Sequence, residues 1–186
     1  TRKQAKTVNL GIMYGMGVAK LAAQLSITPD EAKALLSTHH SKVPFVKGLA
    51  ELATVQASKH GSIRTLLGRR CRFHLWEPRT YGYEKPLPLE DAQKKHGMNL
   101  RRAFTYKALN KLIQGSAADQ TKRAMLDCYN EGLVPSLTVH DELCFSIENQ
   151  KQASRITEIM EHGLDDVLKV PSKVDEELGS NWGEVG

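Results

Sequence analysis

The shift of apolar spacing from helical to alternating around His140-Asp141-Glu142 constrains the fold more than any other feature of this chain. Through most of residues 2–129 the apolar positions recur at helical intervals, whereas residues 133–139 and 143–147 alternate as half-buried strands do, around His140-Asp141-Glu142. A segment patterned for a helix does not rest stably as a strand. The sequence therefore predicts an α+β fold, helical first and then a small antiparallel sheet with helices. Residues 2–24 contain no proline and read as one long helix, in which Gly11, Gly15 and Gly17 each cost about 1 kcal/mol relative to Ala and so are expected to serve close approach. Thr28-Pro29-Asp30-Glu31 is a capping box that starts a helix running to about Ser41. Pro44 starts another, ending near Gly61, with Phe45, Val46, Leu49, Leu52, Ala53 and Val55 expected on its buried side. Residues 63–67 and 71–75 flank Gly68-Arg69 as a hairpin, and residues 76–98, rich in Pro and Gly, read as a loop or mobile insert. A second long helix is expected over 100–129, an amphipathic one over 150–168, and a last strand over 170–178.

Length and composition narrow the class. With 186 residues and 40% apolar content the chain can bury a sizeable core. No apolar run approaches the roughly 20 residues that span a bilayer, so no membrane association is expected. The opening Thr-Arg-Lys-Gln carries neither an initiator Met nor a signal pattern, and the first residue reads as a cut. Cys71, Cys128 and Cys144 are odd in number and lack metal-ligand spacing, which reads as three packed thiols in a reducing cytoplasm. Charge is segregated. Residues 1–111 hold 20 Lys/Arg against 7 Asp/Glu, a net +13, while residues 112–186 hold 6 against 14, a net −8. A basic block beside an acidic one suits a polyanion-binding surface joined to a region that collects divalent cations, although a solvated basic face has the same composition.

Three constellations carry chemistry. Arg2, Lys6, Leu10 and Tyr14 are spaced by four and line one helical stripe, so two cations can hold a triphosphate while an apolar side chain and a ring face sugar and base. An ordinary amphipathic surface helix has the same spacing. Asp141 and Glu142 are consecutive carboxylates at a rigid turn, suited to Mg2+, and equally the composition of a polar hairpin turn. Tyr106, Asn110 and Gln114, again four apart, offer amides to the acceptors of a duplex minor groove or form a solvated polar face.

In this order the segments resemble the family A DNA polymerases, the group of bacterial DNA polymerase I and many phage replicases. Residues 2–15, RKQAKTVNLGIMYG, are similar to motif B of the fingers, R-x-x-x-K-x-x-x-F/Y-G-x-x-Y-G; residues 65–70, TLLGRR, to the T-x-x-G-R-R hairpin near the template; residues 107–119 to the palm helix with its N-x-x-x-Q pair; and Val139-His140-Asp141-Glu142 to motif C. The resemblance implies an incomplete right-hand polymerase, with residues 1–98 as fingers and residues 99–186 as the C-terminal palm. It implies that Arg2 and Lys6 contact the phosphates of the incoming deoxynucleotide, Lys6 protonating the pyrophosphate. Tyr14 sits at the pivot of fingers closure. Arg69, Arg70, Asn110, Gln114 and His140 contact DNA, and Asp141 ligates metal with Glu142 in support. Leu10 stands where the family usually has Phe or Tyr, and Tyr106 where Arg is expected. Lacking a tyrosine hydroxyl at position 10, the protein is expected to keep discrimination against dideoxynucleotides.

Nothing in the sequence matches motif A, D-x-S-x-I-E-L-R, whose aspartate completes the family's metal site. One such carboxylate does not hold two Mg2+ ions about 4 Å apart, so the resemblance implies a C-terminal portion, inactive alone, whose partners are primer-template DNA, deoxynucleoside triphosphates and an N-terminal segment with motif A and thumb. The setting expected is the cytoplasm of a bacterium or phage-infected host. The alternative is a DNA-binding module without catalysis, against which Lys6, Tyr14, His140, Asp141 and Glu142 stand together. Single-subunit RNA polymerases usually carry Ser after the His-Asp pair, so Glu142 favours DNA.

Overall fold

The computed structural model describes residues 2–13, 16–80 and 84–185. The chain forms two compact units, residues 1–115 and 116–186. Helices and antiparallel strand pairs make up both, in agreement with the α+β expectation. No helix among the described residues is long and apolar enough to cross a membrane.

The first unit opens with α1 (Arg2–Met13) and α2 (Val18–Leu25), two helices where one was expected. The helix restarts at Gly17, which caps α2 in an extended conformation (φ −82°, ψ 169°). Met16 folds back: its N–H donates to the Gly11 carbonyl at 2.8 Å, and a Cβ on Gly11 would lie 2.8 Å from Met16 Cε. Gly11 therefore serves close approach, and the summed glycine cost falls where the helix is interrupted.

Local signals define the next two helices. Thr28 caps α3 (Pro29–Lys42) through a reciprocal box: Glu31 N–H donates to Thr28 Oγ1 at 3.3 Å and Thr28 N–H to Glu31 Oε2 at 2.8 Å. α4 (Pro44–His60) starts at its proline and ends on Gly61 at φ 69°. Its buried stripe is Val46, Ala53 and Ala57, with Ala50 partly buried beside them, so the expected set is only partly right. Phe45 is 70% exposed, Leu52 69%, Val55 61% and Leu49 41%. Apolar residues occupy both sides of this helix, and the alanine side, which lets neighbouring backbones approach, faces the core with Leu21, Ile63, Phe73 and Leu109.

The hairpin forms as β1 (Ser62–Arg64) and β2 (Arg70–Arg72). Within residues 76–98, where a loop or mobile insert was expected, the described residues include two strands and a helix. β3 (Leu75–Pro78) is the centre of a three-stranded antiparallel sheet between β4 (Leu87–Pro88) and β5 (Leu100–Arg102), with α5 (Leu89–His96) connecting the outer two. Directly opposed residues account for the register: Arg101 Nε donates to Glu77 Oε1 at 2.8 Å, and the Arg102 guanidinium lies 4.4 Å from the Trp76 ring centroid. The expected helix over 100–129 accordingly begins later, as α6 (Ala108–Asn130), after β5 and a single 3₁₀ turn.

In the second unit β6 (Leu137–Val139) and β7 (Glu142–Cys144) pair across a two-residue turn. α7 (Gln150–His162), capped by Asn149, buries Ile156 and Ile159 against Cys128. It ends before the expected residue 168, and residues 170–178 form no strand. That segment contains Pro171 and is held by side chains instead: Thr157 Oγ1 donates to Glu176 Oε2 at 2.8 Å, and Gln120 Nε2 to Ser172 Oγ at 2.8 Å.

Candidate functional site

In the first unit, Arg2, Lys6 and Leu10 follow one another on α1, roughly 6 Å apart along the axis, and all three are exposed, Leu10 at 41%. Val8 and Gly11 are buried. Among the described residues neither Arg2 nor Lys6 forms an ion pair, which leaves both cations available to an anion. Tyr14 lies outside the described residues.

The turn between β1 and β2 is closed by Thr65. Its N–H donates to the Arg69 carbonyl at 3.0 Å, and its buried hydroxyl accepts from the Arg69 N–H at 3.0 Å. The Arg69 side chain then spans to α6, where Nη2 donates to the Gly115 carbonyl at 2.7 Å. A Cβ on Gly115 would stand 2.8 Å from Thr65 Cγ2. Thr65 and Gly115 thus seat the hairpin on α6, a role that reading along the sequence did not assign. The available signal was Gly115 itself, since an interior helical glycine costs about 1 kcal/mol and is kept for a reason. Arg70 stays exposed on β2.

Asn110 and Gln114 share a face of α6 within the first unit. Asn110 is half-buried, its Oδ1 inaccessible and without a hydrogen-bond partner among the described residues, while Gln114 is exposed. Tyr106 falls in the 3₁₀ turn Thr105–Lys107 and so is not part of that helical stripe.

In the second unit His140 and Asp141 form the turn itself, with His140 in the left-handed region at φ 55° and Glu142 opening β7. All three side chains are exposed. Asp141 and Glu142 present hard carboxylate oxygens, the donor type Mg2+ prefers. Among the described residues no three His, Cys, Asp or Glu side chains gather into a metal-binding group. Elsewhere in this unit two acids are engaged structurally by one arginine: Arg155 pairs with Glu131 at 2.5 Å and Glu158 at 2.6 Å, and its hydrogen bonds hold the Glu131 carboxyl below the ordinary range.

A family model described as DNA polymerase family A matches residues 1–184. This chain belongs to the family A DNA polymerases. It is similar to a DNA-directed DNA polymerase of Pseudomonas phage M6, 36% identical over 216 residues that cover 98% of this chain and 29% of the relative. DNA polymerase I of Bacillus caldotenax is 35% identical over 191 residues, covering 97% of this chain and 20% of the relative. Among solved structures, the POL domain of Pol1 from M. smegmatis, in complex with DNA primer-template and dNTP, superposes with a TM-score of 0.66 at 28% identity, over 91% of this chain and 28% of that one. This family A polymerase chain therefore spans less than a third of the length of these relatives.

Proposed function

We propose that this chain supplies the fingers and the C-terminal part of the palm of a template-directed DNA polymerase, which adds deoxynucleotides to a primer 3′ end. The observation that carries the reading is the family match over residues 1–184 in a chain that leaves Arg2 and Lys6 exposed in one unit and Asp141 and Glu142 exposed in the other.

Arg2 and Lys6 hold the triphosphate of the incoming nucleotide by charge-assisted hydrogen bonds. Lys6 Nζ passes a proton to the departing pyrophosphate oxygen. Leu10 offers an apolar surface to the sugar, and Tyr14 stands near the template base. Asn110, Gln114 and His140 donate to minor-groove acceptors at the primer terminus, which every correct base pair presents alike. Asp141 is the metal ligand and Glu142 supports it. Bound Mg2+ supplies activation of the primer hydroxyl and charge neutralisation at the leaving group.

Two features support an upstream segment as partner. Asp141 and Glu142 alone provide part of an oxygen ligand set, and the motif A aspartate provides the rest. The β6–β7 hairpin, three residues a strand with none fully buried, is marginal as an isolated pair, and strands from that segment extend it into the palm sheet.

The test is steady-state incorporation by a polymerase assembled from this chain and a segment bearing motif A. D141A is expected to abolish synthesis with primer-template affinity nearly intact, and K6A to depress nucleotide use while DNA affinity is unchanged. Wild-type incorporation by K6A would show that α1 does not grip the nucleotide.

A further inference from the structure

Seven arginines lie between Ser62 and Arg102, and four of them tie distant parts of the fold together. Arg69 Nη2 donates to the Gly115 carbonyl at 2.7 Å, Arg79 Nε to the Leu100 carbonyl at 3.1 Å and Arg102 Nη1 to the Phe73 carbonyl at 3.0 Å, while Arg101 pairs with Glu77 at 2.8 Å. The remaining three, Arg64, Arg70 and Arg72, come together on the β1–β2 hairpin. Its register sets Arg64 opposite Arg70 and Ser62 opposite Arg72, so all four side chains share one face, and Ile63 and Cys71 turn to the other, where Ile63 is 5% exposed.

All three guanidinium groups are exposed. Among the described residues Arg64 Nη1 reaches the Gly68 carbonyl of its own turn, at 2.9 Å. Among the described residues Arg70 and Arg72 make no hydrogen bond or ion pair. No Asp or Glu occurs anywhere in residues 61–74. Like charges directly opposed across a strand pair destabilise it, so this face is at odds with itself until an anion is present. Opposed Cβ atoms stand roughly 5 Å apart and residues two apart on a strand roughly 6.6 Å. The face thus offers three planar forks spread over a strip, a geometry matched to successive phosphates more than to a single small anion.

We propose that this face binds the phosphodiester backbone of DNA, with Arg64 and Arg72 contacting phosphate beside Arg70, while the neighbouring Arg69 holds the hairpin to α6. The inference rests on the polymerase reading and adds two contact residues to it. Contacts of this kind position the nucleic acid without reading its sequence.

The experiment is fluorescence anisotropy of the 186-residue chain with a labelled primer-template and with the template strand alone, titrated at several salt concentrations. Each phosphate contact contributes about 0.9 to the log–log salt slope on duplex and about 0.7 on a single strand. R64Q/R72Q is expected to lower the slope by about 1.8 on duplex or about 1.4 on the single strand. R64K/R72K should retain the slope, as should R79Q, whose arginine serves a backbone carbonyl. Binding of a free deoxynucleoside triphosphate should not respond to R64Q/R72Q, which separates backbone phosphate from the nucleotide's own. If the double glutamine variant does not fold, R72Q alone decides, with an expected loss of about 0.9 on duplex. An unchanged slope in a folded glutamine variant overturns the proposal. Failure of the assembled polymerase to extend primers, with the slope nonetheless lowered, would overturn the catalytic reading alone.

Discussion

Replacing Gly115 with alanine sets two opposing effects against each other at one position. Alanine is about 1 kcal/mol better than glycine inside a helix, and Gly115 lies within the 23-residue helix α6. Its new Cβ, however, would stand 2.8 Å from Thr65 Cγ2, with Arg69 Nη2 at 3.6 Å and Cys71 Sγ at 3.8 Å. Thr65 cannot yield cheaply. It is 5% exposed, its χ1 is stiff because it is β-branched, and rotating it would break the Arg69 N–H to Oγ1 bond that closes the turn. Overpacking of this kind costs about 1–3 kcal/mol, so G115A is expected to be net destabilising by about 1 kcal/mol, a fall in Tm of roughly 2–4 °C for a protein of this size. The T65S/G115A double variant removes the clashing methyl while keeping the hydroxyl, and its stability should return to that of T65S or exceed it. Urea denaturation followed by circular dichroism measures both, and the double-mutant cycle isolates the contact. A G115A protein more stable than wild type, by the helix-propensity gain, would refute the packing argument.

Three further outcomes are expected. T28A should cost about 1 kcal/mol by removing the α3 cap, seen as a lower urea midpoint. Hydrogen bonds from the Thr28 backbone and then its hydroxyl hold the Glu31 carboxyl below its ordinary 4.5, so the cap contributes stability above that pH and loses it as pH falls through the depressed folded value; in E31Q this part of the acid titration of Tm should disappear. Cys128 is fully buried, and burial first, with Glu131 and Asp127 behind it, pushes its thiol up to about 11; at pH 8 a thiol reagent should label the half-buried Cys71 and Cys144 and reach Cys128 only on unfolding, as peptide mapping would show.

What could be read in the sequence was what local chemistry determines. Thr28-Pro29-Asp30-Glu31 and Pro44 with Gly61 set helix ends through contacts within four residues, and those ends form as expected. The β3–β5 pairing depends on Trp76 with Arg102 and Glu77 with Arg101, partners too far apart in sequence for any periodicity to register. The same limit hid the contact of Thr65 with Gly115 and the difference between Arg69, bound to a helix carbonyl, and Arg70, which stays exposed beside it. On α4, apolar residues on two faces left the choice to packing, and the smaller side chains went inward. Among the site residues, the exposed stripe of α1 and the turn at His140-Asp141 follow from spacing and alternation, whereas their chemical roles rest on the family pattern.

The central claim, that this chain contributes one acidic half of a polymerase metal site, is tested most directly by complementation. A separately produced segment carrying the motif A aspartate, mixed with this chain, is predicted to extend a primer only when both proteins and Mg2+ are present. Absence of extension from a folded, associated mixture would contradict it.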